Sequence, residues 1–149
     1  MTEPPRIEQR GAGKATLDLR ALGVRASDVR PVKRQLREVF TRSERRRFSG
    51  GADWPPLAPA TVERKAAAGL DPRILRATNA LYRSLAEGGR GSVEEAGPGH
   101  VAFGTSLHYA RFAEHGTKTA PKRELVELRP SEVSEMTRIV GKHITEGER

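Results

Sequence analysis

From Ser27 to Gly51, in "SDVRPVKRQLREVFTRSERRRFSGG", the apolar residues Val29, Val32, Leu36, Val39, Phe40 and Phe48 recur at spacings near three and four. A helix turns every 3.6 residues, so this spacing gathers them on one stripe and predicts a long helix. Ser27 or Asp28 can cap its start, because either side chain can accept from a free first-turn N–H. Pro31 fits only the first turn, since it has no N–H to give. Gly50 and Gly51 end the run. The same run carries Arg30, Lys33, Arg34, Arg37, Arg42, Arg45, Arg46 and Arg47 against Glu38 and Glu44, so the helix is basic.

Elsewhere the period changes. In "KATLDLRAL", Ala15, Leu17 and Leu19 alternate with Thr16, Asp18 and Arg20, which predicts a half-buried strand ended by Gly23. A short helix is expected over Ala60–Ala68, broken by Gly69 and Pro72. Another is expected over Thr78–Glu87, with Leu81 and Leu85 inward and Gly88 and Gly89 closing it. "GSVEEAGPGHVAFGT" predicts two strands about a turn, Val93 on one, Val101 and Phe103 on the other, with Pro and Gly supplying the turn geometry. A short helix over Ser106–Gly116 follows. "KRELVEL" predicts a last strand that buries Leu125 with Val126 or Leu128. "SEVSEMTRIVGKHITEGE" predicts a C-terminal helix on Val133, Met136, Ile139 or Val140, and His143, fraying after Gly141.

Helices mixed with short strands, and no β-α-β alternation, give an α+β fold: a small antiparallel sheet with the long basic N-terminal helix and shorter helices packed on one face. The organisation expected is a flexible arm over 1–13, one domain over 14–128, and a C-terminal helix or tail over 129–149. Residues 1–13 are polar and hold Pro4, Pro5, Gly11 and Gly13, hence the arm.

Composition narrows the classes. At 149 residues, only 36% hydrophobic and 5% aromatic, the chain supports one thin core and suits a subunit that completes its packing against neighbours. A net charge of +8 permits an acidic protein, nucleic acid or anionic lipid as partner without choosing among them. No cysteine is present, so disulfides, thiolate catalysis and Cys-built zinc sites are excluded. No apolar run approaches the roughly 20 residues of a membrane span, and "MTEPPRIEQR" lacks the apolar segment of a signal peptide, so no membrane role is expected.

"DWPPLAPATVERK", from Asp53 to Lys65, places the single tryptophan at a proline-stiffened corner. Pro55, Pro56 and Pro59 forbid regular structure around it and lower the entropy cost of holding Trp54 in place. Trp54 either caps the core of its own chain or fills a groove on a neighbouring copy; Tyr82 offers the same choice.

Four pieces follow in order: "WPPLAPATVERK", "ILRATNALYRSLAEG" (Ile74–Gly88), "VAFGTSLHYARFAEHGT" (Val101–Thr117) and "PKRELVEL" (Pro121–Leu128). This order resembles the phage virion morphogenesis family, the Mu-like tail completion proteins. The family pattern is similar to W-x-P-L-x-x-x-T-x-x-x-K, then I-L-x-x-[ST]-G-x-L-x-x-S, then a Gly-containing strand into Y-A-x-x-H-x-x-G, then P-x-R-x-[FL]. Asn79 stands where the family usually has Gly, and Asn also tolerates positive φ. His115 adjoins Gly116 rather than preceding it by a residue or two, and Leu125 stands where Phe is common. The resemblance implies a structural virion protein of the head–tail junction (tail completion, tail terminator or neck) made in the host bacterial cytoplasm and working in the particle as a homo-oligomer, most simply a hexameric ring. It implies the phage tail tube and head–tail connector proteins as partners and no cofactor. Trp54, Leu57, Tyr109, Phe112, His115 and Arg123 are then the interface candidates.

The residues leave an alternative from another class: nonspecific nucleic-acid binding, including contact with genomic DNA, through Arg34, Arg37, Arg45 and Arg46. The bland counterpart is a solvated helix face or a contact with an acidic neighbour. No aromatic is interleaved among these arginines as a base-stacking platform, and no helix-turn-helix is visible. Enzymatic chemistry is not expected: G-x-S-x-G, the P-loop pattern and G-x-G-x-x-G are all missing, and "GGRGS" lacks the lysine of a phosphate cradle. His108 and His115 lie seven apart, which is not the i, i+3 or i+4 spacing of helical metal ligands, and His100 and His143 have no partner at useful spacing.

Overall fold

In a computed structural model, which describes residues 6–9, 14–18 and 28–146, the basic stretch opens as a single 3-10 turn, Arg30–Val32, and runs on as helix α1, Lys33–Arg46. The N-cap position is Val29, which has no side-chain cap; Asp28, one residue earlier, accepts from the Arg30 backbone N–H at 3.0 Å, and Ser27 lies outside the described residues. The last turn widens to a π-helical one, Arg47–Gly51, and ends where Gly50 takes φ +97°, a conformation that favours glycine.

The sheet has four strands in the order β1-β2-β4-β3, all antiparallel: β1 Arg6–Gln9, β2 Lys14–Asp18, β3 Ser92–Gly97 and β4 His100–Thr105. β3 and β4 form the expected hairpin about Pro98–Gly99. β2 falls within the period-2 stretch, and its register sets Leu17 opposite Val101 and Ala15 opposite Phe103; Leu19 and Gly23 lie outside the described residues. β1 corrects part of the arm expectation. Residues 6–9 pair along β2, where their backbone groups gain ladder hydrogen bonds.

Helices α1 and α3 (Ala80–Ala86) cover the sheet face that carries Val101 and Phe103, and α5 (Pro130–Glu146) packs on α1. Phe40 stacks on Phe103 at 5.4 Å between ring centroids, which ties α1 to β4. Val29, Val32, Leu36, Val39, Phe40 and Phe48, the predicted stripe, are all buried, together with Leu81, Leu85, Met136 and Val140. Burying each such side chain stabilises by roughly 1.5–3 kcal/mol before entropy is set against it. Ser84, also buried, joins α3 to the end of β4 by donating to Thr105 Oγ1 at 2.9 Å.

Three elements differ from expectation. "KRELVEL" buries Leu125 and Val126 but is no strand. Its backbone groups bond instead to other elements: Leu125 N–H to Glu114 Oε2 at 2.7 Å, Arg123 N–H to Ala113 O at 2.7 Å, and the Leu125 and Glu124 carbonyls to Arg47. Side chains and the Ala113 carbonyl take up what a ladder would have satisfied, so no partner strand is needed. The helix expected over 106–116 is shortened to α4, Ala110–His115, which follows a turn where the Ala110 N–H donates to Leu107 O at 3.0 Å. Helix α5 does not fray at Gly141 but continues to Glu146. Buried Val140 precedes that glycine, and His143 Nε2 reaches Asp28 O at 2.7 Å beyond it, which offsets the ~1 kcal/mol cost of a helical glycine. The short helix after the proline corner is α2, Pro59–Ala67.

Candidate functional site

The proline corner is held by the segment that failed to become a strand. Arg123 is buried, and its guanidinium donates from Nε and Nη2 to Pro55 O at 3.1 and 2.9 Å, and from Nη2 to Pro56 O at 3.1 Å. Pro55 and Pro56 lie outside helix and sheet, so no ladder donor reaches these carbonyls, and the guanidinium fork does. Trp54 sits one residue upstream. Its ring meets Phe48 edge-on at 5.1 Å, Arg47 lies over it at 5.6 Å, and Nε1 donates to Glu124 O at 2.9 Å. Of the two roles open to Trp54, the structure places it against the core of its own chain. Tyr82 does the same: it packs on Phe48 at 5.4 Å, under the Arg76 guanidinium 3.9 Å from its ring.

Beside this corner, α2, α3, α4 and the loops that join them enclose an open groove of about 460 Å³. Leu57, Tyr109, Phe112 and Arg123 all line it, so four of the six interface candidates converge there. Tyr109 and Phe112 are 38% and 47% exposed, against single-digit values across the core. A large side chain left in water beside a concave apolar wall is a feature of binding surfaces. Trp54 and His115 are not part of the groove; His115 is exposed as the last residue of α4. Gly116 follows at φ +75°, and a Cβ there would come within 2.9 Å of Lys122 N, so the turn that leads the chain back past the groove requires glycine.

The far wall is a tightly pinned loop. Asp71 accepts from the Arg73 backbone N–H at 2.9 Å and from its guanidinium at 2.6–3.2 Å, which holds its carboxyl well below the usual range. Leu75 and Asn79, at φ +60° and +62°, are the non-glycine residues with positive φ among those described, and both line the groove. Asn79 carries the positive φ expected of its position and accepts from Arg76 Nε at 2.7 Å. Such backbone costs of order 1–3 kcal/mol and persists where surrounding contacts over-determine it. Lys65 is buried at the groove, its Nζ donating to Arg73 O at 2.7 Å. Desolvation lowers the pKa of Lys65, opposed by Asp71, and lowers that of Arg123 with no opposing carboxylate.

The basic helix is largely engaged with its own chain. Lys33 and Arg37 both reach Glu94, at 3.4 Å each, and Arg46 reaches Glu132 at 3.3 Å. Arg47 reaches Glu127 at 3.2 Å, Arg42 pairs with Glu135, and Arg34 reaches Glu38 at 3.6 Å. Of the four arginines considered for phosphate, Arg45 alone is exposed with no ion pair among the described residues.

Periodicity did not single out Glu44. It lies four residues past Phe40, on the inward stripe, and is completely buried with neither carboxylate oxygen hydrogen-bonded among the described residues. Burial pushes its carboxyl up to about 8; Arg47 and Arg46 oppose the shift and Glu114 and Glu132 add to it. Lys65 was visible in the sequence only as part of Thr-x-x-x-Lys, and Leu75 carried no signal, because leucine does not announce positive φ. Among the described residues no group of three or more metal-ligating side chains is clustered, and no helix is long and apolar enough to cross a membrane. Comparison of the chain with family models, with curated proteins and with solved structures returned no match.

Proposed function

We propose that this chain is a structural virion subunit of a phage head–tail junction, a tail completion, tail terminator or neck protein. It is made in the host cytoplasm and acts in the particle by assembling into a closed, most simply hexameric, ring between tail tube and connector. It works by burying surface against copies of itself and adjoining proteins, not by making or breaking bonds. The ordered motifs from Trp54 to Leu128 suggest the class. The observation that carries the assembly reading is the groove where Leu57, Tyr109, Phe112 and Arg123 meet, two of them exposed aromatics. Heterologous contacts between copies close into a ring when their rotation matches, and the groove is then left to hold one of the adjoining proteins. The nucleic-acid alternative draws less support, since Arg37 and Arg46 already face Glu94 and Glu132 of the same chain.

The test is native mass spectrometry of the purified protein over a concentration series, with proteomics of purified particles from the source. Ring-sized oligomers and a stoichiometric presence in particles are expected. A monomer at every concentration that is also missing from particles overturns the reading.

A further inference from the structure

We propose that the groove between α2, α3 and α4 is a docking site for an acidic segment of another protein, one that seats a large apolar side chain against Tyr109 and Phe112 and turns a neighbouring carboxylate toward Lys65 and Arg123. This rests on the assembly reading in treating the groove as a protein contact, and it adds the chemistry of the partner.

The argument is charge complementarity inside an apolar cleft. Among the residues that line the groove, Lys65 and Arg123 alone carry charge, both positive, and no Asp or Glu lines it. Both are buried, and neither forms an ion pair among the described residues. Lys65 donates to one backbone carbonyl, that of Arg73, and feels the Asp71 carboxylate from outside the groove lining; Arg123 donates to the carbonyls of Pro55 and Pro56. Carbonyl dipoles satisfy donors but do not neutralise charge, and burial holds both pKa values below their ordinary level. An incoming carboxylate would give Arg123, and Lys65 beside it, charge-assisted pairs in a partly dry site, where such pairs are strongest. The apolar anchor is required by the exposed aromatics, since a carboxylate alone would leave Tyr109 and Phe112 in water. The wall that carries Leu75 and Asn79 is already fixed in positive φ, so the cleft is pre-shaped and little ordering accompanies binding. A second copy of the chain is the poorer occupant: each copy carries +8 and would bring like charge to a cationic cleft.

The experiment uses the full chain and three fluorescein-labelled peptides: a leucine/glutamate amphipathic peptide, its leucine/lysine counterpart, and an alanine/glutamate version without the large anchors. Anisotropy titrations are run on the parent protein and on Phe112→Ala and Tyr109→Ala, both at exposed positions where folding should be retained. The leucine/glutamate peptide is expected to bind at least about tenfold tighter than either other peptide, and Phe112→Ala to weaken it by about tenfold. Equal binding of the acidic and basic peptides, or binding unaffected by both substitutions, overturns the proposal. Saturable binding of dodecanoate without peptide binding would also overturn it, in favour of a lipid. Oligomers that dissociate on Phe112→Ala would overturn it in favour of a second copy. A ring that ignores all three peptides sinks the docking proposal alone. Selective peptide binding by a permanent monomer absent from particles sinks the ring alone.

Discussion

Arg47 and Trp54 donate to the same backbone oxygen, that of Glu124. One residue ends the basic helix and the other opens the proline corner, so this carbonyl ties both to the 121–128 segment. Trp54→Phe keeps an aromatic ring beside Phe48 but removes the indole N–H and part of the bicyclic ring, and is expected to cost about 1–2 kcal/mol. Trp54→Ala removes the ring as well and is expected to cost roughly 3 kcal/mol or more. Urea denaturation followed by circular dichroism measures both. A Trp54→Ala protein as stable as the parent would mean that the indole does not serve its own core.

Arg123 is expected to act through geometry more than charge. Arg123→Met leaves Pro55 O and Pro56 O without donors and should cost about 2–3 kcal/mol, roughly a 4–12 °C fall in Tm for a chain of this size. Arg123→Lys keeps the charge but presents a point donor where a planar fork spans two carbonyls, so it should recover less than half of the loss. A lysine variant that melts with the parent would show that the fork is unimportant.

The elements most legible in the sequence were those whose side chains bury on one side only. The α1 stripe from Val29 to Phe48, the hairpin of Val93 with Val101 and Phe103, and the paired Leu81 and Leu85 were all visible as periods. The "KRELVEL" segment misled because a buried run reads as a strand until one knows where its backbone bonds go, and here they go to Arg47, Trp54 and Glu114. The groove was half legible. Leu57, Tyr109, Phe112 and Arg123 stand out in the ordered motifs, but Leu75 lines the wall with a positive φ that its residue type does not signal. Glu44 was hidden by its residue type, since the helical period put it inward and its charge argued against it.

Asn79 starts α3 in the left-handed conformation, where glycine is unstrained. Asn79→Gly should therefore be close to neutral, losing its contact with Arg76 Nε while relieving the backbone. Asn79→Ala loses that contact and keeps the strain, and is expected to cost about 1–2 kcal/mol. Thermal melts of the two variants give the order. Alanine as stable as glycine would mean that the positive φ is not maintained in solution.

Glu44 is expected to contribute to the pH response of the fold. Its carboxyl titrates near 4.5 in the unfolded chain and is pushed up to about 8 in the folded one, chiefly by burial. Between these values the folded state binds the extra proton, so stability falls as pH rises from about 4.5 to about 8 and levels off above. Arg46 and Arg47 on its own helical run, Glu114 from α4 and Glu132 from α5 are the charges around it. Glu114, itself raised by burial, adds a slope of the same sign, so the informative quantity is the difference between the parent and Glu44→Gln. Glutamine is nearly isosteric with the protonated acid and does not ionise. The variant should gain on the parent by on the order of 3–5 kcal/mol between pH 4 and pH 9. Urea midpoints of both proteins across that range measure it. Parallel curves would mean that the Glu44 side chain reaches water in solution, and that α1 is less tightly closed against α5 than its buried stripe requires.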